Sequence, residues 1–244
     1  MNSLINLITL AGDGSRFSSA GVEVPKPLIE VDGVPMIIRS VNCLPTPHKY
    51  VFVCRQEHVE KYNIDKILSD EYGDCEFVLV DGVTEGQACT AEIGINGSSI
   101  QDEDSILISC CDYGIDWCPT KYDKVKDKSD VVVWSTINNG AFIKNPSSYS
   151  WLEVEDDKLL KAHAKQEFFK DSHNKHAIIG TFYFRRSIDF INSLRTVYHS
   201  DIRSNGEYYI DNMFNTMKDL RVNIFDVDEY YCWGTPEDLK NYEN

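Results

Sequence analysis

Positive charge is scarce in this sequence. Its 244 residues hold 24 lysines and arginines against 39 aspartates and glutamates, a formal net charge of −15. A surface so acidic repels nucleic acid and anionic membranes, so neither is expected as a partner. Long apolar runs are missing as well, and none approaches the roughly 18 residues that a membrane span needs. The opening MNSLINLITLAGDG has no basic flank and no small-residue cleavage site, and it reads as a buried strand, not a leader. There is no CxxC pair among the eight cysteines at 43, 54, 75, 89, 110, 111, 118 and 232. That spacing argues against a zinc ribbon or a disulfide framework. Thiols in apolar runs act as small core residues, which fits a reduced, cytoplasmic protein. Repeats, linkers and low-complexity segments are also lacking.

What is present is an ordinary globular composition, 42 % apolar and 26 % charged, with enough chain for one large domain. The runs LINLITLA, KYVFVC, EFVLV and SILISC are short, rich in branched residues and without polar alternation, as buried strands are. Helical stretches separate them: PMIIRSVNCL with Pro35 in the first turn, NIDKILSDEYG capped by Asn63 and stopped by Gly73, and ACTAEIGI. This alternation predicts an α/β fold with a mostly parallel, Rossmann-like sheet and helices on both faces.

The second half is less regular. DVVVWST continues the sheet, WLEVEDDKLLKAHA reads as a hairpin turning at Asp156-Asp157, and HAIIGTFYFRR is a long strand. Ser187 is expected to cap the helix after it, and YYIDNMFNTMKDL to form another. VNIFDVDEYY reads as one last strand, and Thr235-Pro236 with Asp238 forms a capping box. The reading is one domain with an inserted or appended substrate lobe, its halves being about residues 1–115 and 116–244.

Open parallel sheets bind ligands beyond the C-terminal ends of their strands. There the first run opens onto AGDGSRF, followed by PKPLIEVDGVPMI. Two glycines let backbone N–H groups approach a phosphate closely. The loop is not a Walker motif, since no GK[ST] follows. It is a poor dinucleotide fingerprint, because Phe17 stands in place of a third glycine and no helix is expected there. Pro25 and Pro27 stiffen the chain on both sides of Lys26. With Arg16, that lysine puts two cations beside a loop of N–H donors, which describes a polyphosphate cradle.

These residues resemble the signature of the sugar-1-phosphate nucleotidylyltransferases, a glycine-rich loop ending in Ser/Thr-Arg and followed by Pro-Lys-Pro-Leu. The likeness continues in order through DGVTEGQACTA, SCCDYGIDW, IIGTFYF and WGTPEDL, nearly the whole chain. It is similar, too, to small capsule-pathway cytidylyltransferases, such as those acting on phosphoglutamine. The resemblance implies a nucleotide-diphospho-sugar transferase architecture, like that of the GT-A glycosyltransferases. It implies transfer of a nucleotidyl group from a nucleoside triphosphate, with CTP favoured, to a phosphorylated acceptor, with release of pyrophosphate. Leu10, Ala11, Gly12, Gly14, Ser15, Arg16 and Lys26 would hold the triphosphate, and Gln87 would read the base. Asp112 would bind Mg2+. Lys165 would meet the acceptor phosphate, although Lys161, Lys170 and Lys175 stand nearby. Gly180, Glu207 and Tyr208, with Asp211, would line the acceptor pocket. Arg16, Lys26 and Lys165 would carry the catalysis, and a homo-oligomer is compatible with the sequence.

The pattern departs from the family in one place. Where many relatives carry a second metal aspartate, this chain has Cys232, a poor ligand for magnesium. Asp226 or Asp228 would have to replace it, or Asp112 and the phosphates would hold the metal alone. Two other readings stay open: a nucleotide-binding regulatory protein without turnover, and a glycosyltransferase. The latter would want a DxD pair, which Asp112 and Asp116 do not form. His163, His173 and His176 lack the spacing of a metal cluster and read as loop residues.

Overall fold

The structure is a computed structural model and describes residues 3–155, 158–165 and 175–243. The first half contributes strands β1 (Leu4–Leu10), β2 (Glu30–Val31), β3 (Val34–Pro35), β4 (Lys49–Arg55), β5 (Cys75–Val80), β6 (Ser105–Ser109) and β7 (Tyr113–Asp116). The second contributes β8 (Val131–Ile137), β9 (Trp151–Glu155), β10 (Lys158–His163), β11 (His176–Phe184), β12 (Val222–Asp226) and β13 (Glu229–Cys232). Nine of them build one sheet in the order β5-β4-β1-β6-β11-β8-β12-β10-β9.

Alternate residues on each central strand serve different cores. Leu7, Val51, Val53, Ile106 and Val133 face helices Gln87–Gly97 and Ser187–His199 on one side. Ile8, Phe52, Cys54, Leu107 and Trp134 face helices Met36–Asn42, Ile64–Tyr72 and Pro119–Asp127 on the other. Strands covered on both faces need apolar residues at every position, which is why they appear as unbroken runs.

The sheet is mixed, not mostly parallel. β5, β4, β1 and β6 are parallel, but β11 pairs antiparallel with both β6 and β8. β8 is parallel to β12, which pairs antiparallel with β10, and β10 with β9. β9 then returns to β11, so β11, β8, β12, β10 and β9 form a closed five-stranded barrel. A run buried on both faces reads alike in either direction, so the apolar pattern does not report strand polarity. β11 serves both parts: Phe182–Phe184 pair with β6, while His176 and Ala177 pair with β9. Between them the register shifts around Gly180, whose φ of +93° allows a bend that other residues resist.

Several local expectations are corrected. A five-residue helix, Ser15–Ser19, does begin in the glycine loop. Asn63 adopts φ +51° between two helices and makes no side-chain cap, and Gly73 ends the second at φ +77°. Ser187 is the first helical residue and donates its hydroxyl to the Gln101 carbonyl instead of capping. The helix foreseen from Tyr208 to Leu220 shrinks to Ile210–Met213 and a 3-10 turn, Phe214–Thr216, which ends where Met217 leaves helical geometry at φ −85°, ψ +56°. The last run splits, so that β13 leaves the main sheet and pairs with β7. Thr235 does cap its helix, accepting from the Asp238 N–H at 3.1 Å. The hairpin turn at Asp156-Asp157 lies outside the described residues. Among those residues no helix is long and apolar enough to cross a membrane.

Candidate active site

The glycine loop leaves β1 at its C-terminal end. Leu10 and Ala11 are buried beneath it, whereas Gly12 and Ser15 are exposed, and nothing stands within 4 Å of where a Cβ on Gly12 would be. Gly14 has φ +64°, and a Cβ there would lie 3.3 Å from Cβ of Lys26. The absent side chain thus lets the PKP segment close against the loop. Pro25 leads into the 3-10 turn Lys26–Leu28, which fixes the root of the lysine. Phe17 anchors the loop from below, packed with Val31, Met36, Trp233 and Leu239.

The Lys26 ammonium reaches Asp112, in the short link between β6 and β7, with Nζ 2.6 Å from Oδ2. Both side chains are largely sequestered, at 19 % and 29 % exposure. Burial disfavours the lysine's charge, yet the Asp112 carboxylate more than offsets this and raises its pKa. Burial also opposes ionisation of Asp112, but the charge and hydrogen bond of Lys26, with a 3.1 Å bond from Cys110 Sγ, hold its carboxyl below the usual range. The pair is charged at neutral pH.

Asp112 opens onto a cleft of about 1210 Å³ that runs between the glycine loop and the barrel. Arg16, Gln87, Asp112, Lys165 and Gly180 line it together, while Lys26 stands off its wall with its ammonium bound to Asp112. Gln87 is the first residue of its helix, and its amide donates to Thr9 Oγ1 at 3.4 Å, tying it to β1. Lys165, with φ +51°, donates from Nζ to the Ser148 carbonyl at 3.1 Å and lies 5.2 Å from the Tyr209 ring centre. Its backbone N–H donates to Ser150 Oγ, which in turn donates to the buried carboxylate of Asp211.

Two expected acceptor residues sit elsewhere. Tyr208 turns from the cleft to hydrogen-bond Asp201 at 2.7 Å beneath the Arg203 guanidinium, and Glu207 is exposed and off the cleft wall. The adjacent Tyr209 and Asp211 line the cleft instead. Burial, then a hydrogen bond to Glu207, raises the Tyr209 phenol, while burial raises the Asp211 carboxyl. Tyr149, Tyr230, Asp238, residues 139–142, Lys144 and Asn145 also line the wall. Of these only Asp238 was singled out in the sequence, as a capping residue, because single tyrosines and a loop asparagine carry no spacing signal. Lys161 lies outside the cleft and Lys170 outside the described residues.

For magnesium the fit is narrow. A Cβ on Gly234 would lie 3.6 Å from Asp112 Oδ2, 3.6 Å from Cys232 Sγ and 3.9 Å from Asp238 Oδ2, so these three groups surround one small space. Burial, with Asp238 and Asp112 nearby, pushes the Cys232 thiol up to about 11, so it stays protonated and a poor ligand. Neither proposed substitute reaches the cleft. Asp226 accepts from Ser135 Oγ at 2.7 Å and pairs with His176 at 2.8 Å, and Asp228 pairs with Lys121 at 2.7 Å. Among the described residues no group of three or more metal-ligating side chains is assembled. Magnesium accepts one carboxylate with phosphate oxygens and water completing its shell, and Asp112 fits that arrangement. Of the three histidines, His163 pairs with Glu153 and His176 with Asp226, while His173 lies outside the described residues.

No protein-family model matches the sequence, and comparison with curated proteins gives no significant match. Solved structures do match. A nucleoside-diphosphate-sugar pyrophosphorylase from Vibrio cholerae RC9 superposes with a TM-score of 0.77 at 19 % identity, covering 98 % of each chain. An inositol-1-phosphate CTP transferase from T. maritima gives 0.74 at 17 %, over 98 % of this chain and 93 % of that one. A Bacillus anthracis protein assigned as a glucose-1-phosphate thymidylyltransferase gives the same three values, 0.74, 17 % and 98 %, again covering 93 % of its own length. At such identities the agreement is one of fold: the chain shares the fold of the nucleotidylyltransferases.

Proposed function

We propose that this protein is a nucleotidylyltransferase that moves a nucleoside monophosphate from a nucleoside triphosphate to a phosphorylated small molecule, releasing pyrophosphate. The observation that carries the reading is the convergence of Arg16, Gln87, Lys165 and the Lys26-paired Asp112 around one cleft in an otherwise acidic molecule. A volume of about 1210 Å³ exceeds what one small ligand fills and suits a nucleotide beside its acceptor.

The acceptor is a phosphate, already ionised near neutral pH, so the reaction asks for alignment and charge neutralisation more than for a base. One acceptor oxygen attacks the α-phosphorus, and the bond from that phosphorus to the bridging oxygen of the β-phosphate breaks. The electron pair leaves with pyrophosphate. Arg16 and the N–H groups of Gly12 and Gly14 hold the β- and γ-phosphates. Lys26 meets the charge that grows between the α-phosphate and the leaving group. Gln87, steadied by Thr9, presents both a donor and an acceptor to the base edge. Lys165 receives the acceptor's phosphate, and Tyr209, Asp211 and Gly180 border its remainder. Asp112, with phosphate oxygens, would hold magnesium, which would offset part of the triphosphate's charge.

We further take CTP as the donor, following the likeness to an inositol-1-phosphate CTP transferase. The acceptor is a sugar 1-phosphate or a compact phosphorylated metabolite such as phosphoglutamine. The product is an activated precursor for capsule or surface polysaccharide, made in the cytoplasm. The test is a matrix of the four common nucleoside triphosphates against such acceptors, read as magnesium-dependent pyrophosphate release. One donor–acceptor combination should dominate. The protonated thiol of Cys232 favours a second reading, a nucleotide-binding protein without turnover. Nucleotide binding without pyrophosphate in any well of the matrix would establish that reading and remove the first.

A further inference from the structure

A second cavity, of about 900 Å³, opens on the barrel and shares no lining residue with the cleft. Its apolar part comes from Leu159, Phe214, Met217 and Leu220, which rest on the main core. Leu160 also borders it, with 60 % of its surface exposed. Five of its lining residues are cationic: Lys128, Lys158, Lys161, Lys218 and Arg221. Among the described residues no carboxylate lines it. In a chain with 24 basic residues out of 244, such a gathering is far above its share.

These cations are not spent equally on the fold. Arg221 is bound to Asp130 by bonds of 2.7 and 2.9 Å. Lys158, Lys161 and Lys218 have no hydrogen-bond or ion-pair partner for their ammonium groups among the described residues. The wall beneath them is firmly built. Asn215 bonds both the N–H and the carbonyl of Ala162, at 2.9 and 2.8 Å, and Asn223 donates to Ser129 Oγ at 2.8 Å.

We propose that this cavity is a second binding site, for a small organic anion carried on an apolar body, of which an alkyl or aryl phosphate is the simplest form. Phosphate oxygens would answer the three ammonium groups that have no partner among the described residues, and the body would cover Leu159, Leu160 and Phe214. An inorganic anion leaves that apolar surface wet, and a neutral hydrocarbon leaves the ammonium groups unanswered. The volume lies within the range of small-ligand sites. A nucleic acid or a bilayer would also have to approach the acidic remainder of the surface.

The experiment is calorimetric titration of the full chain with phenyl phosphate and with decyl phosphate below its aggregation concentration, inorganic phosphate serving as control. One equivalent of an organic phosphate should bind, and more weakly as salt rises. The exposed-residue variant Lys158→Ala/Lys161→Ala/Lys218→Ala should keep its circular dichroism and lose affinity about tenfold or more. The cleft variant Lys165→Ala should bind as the parent does. Tighter binding of decyl phosphate would identify a lipid-derived ligand, and tighter binding of phenyl phosphate a soluble aromatic one. The proposal is overturned if the triple variant binds equally well, if Lys165→Ala abolishes binding, or if inorganic phosphate binds as tightly as either ester.

Discussion

Lys26 shows what flanking prolines do for a single charge. The 3-10 turn fixes its root, Gly14 makes room for its Cβ, and Asp112 holds its ammonium at 2.6 Å. A charge held in place before substrate arrives needs no reorganisation as the reaction proceeds. Lys26→Ala should therefore lower turnover by about 10²–10³-fold, the order seen when one preorganised donor is removed. Its circular dichroism should remain that of the parent; turnover within a few-fold of the parent would sink the assignment. The pair is formed on both sides of neutrality, since the aspartate titrates below its usual range and the lysine above its own. At this scale placement was legible where residue type and spacing coincide: Arg16, Gln87 and Asp112 line one cleft, and Lys26 is bound to Asp112. It was one residue off in NGEYYID, where Tyr209 and not Tyr208 faces the cleft. Adjacent tyrosines in an irregular segment have no period from which to tell inside from outside.

The element that carries Gln87 depends on a close backbone crossing. Gly86 has φ +125°, and a Cβ on it would meet the Tyr208 carbonyl oxygen at 2.5 Å and the Tyr208 nitrogen at 2.9 Å. Tyr208 N–H donates to the Glu85 carbonyl at 2.8 Å, and Ala88 N–H donates to the Tyr208 carbonyl at 3.2 Å. The loop at the start of this helix and the segment that carries Tyr209 and Asp211 to the cleft are thus one construction. Gly86→Ala adds backbone strain of about 1–3 kcal/mol to that crossing. It should lower the denaturant midpoint and raise KM for nucleotide and acceptor together, and a change in KM for only one would refute the linkage. The first four strands of the sheet could be read from their apolar runs. The barrel could not, because its closure depends on which edges meet and not on residue type.

At the scale of the whole molecule, two of the ion pairs at strand ends depress a carboxylate strongly. Lys49, on β4, holds Glu76, on β5, at 2.5 Å, and hydrogen bonds from Lys49 and Ser99 outweigh burial to bring its carboxyl down to about 2. Arg221 holds Asp130 at 2.7 Å where β8 and β12 begin, and bonds from Arg221 bring that carboxyl to about 2 as well. Each depressed carboxylate stabilises the fold fully above its unfolded pKa, near 4 to 4.5, and this contribution disappears as pH falls through about 2. The thermal midpoint should therefore fall between pH 4.5 and 2, and Glu76→Gln should make that fall shallower. An equally steep fall in the variant would show that other groups govern acid unfolding.

The shared strand β11 governs how the protein can move. Its one end is stitched to β6 and its other to β9, so the two walls of the cleft hang from a single beam. Swinging the walls apart as hinged jaws would tear ladder bonds. Any opening of the cleft would instead have to come from the bend at Gly180 and from the surface loops around the mouth.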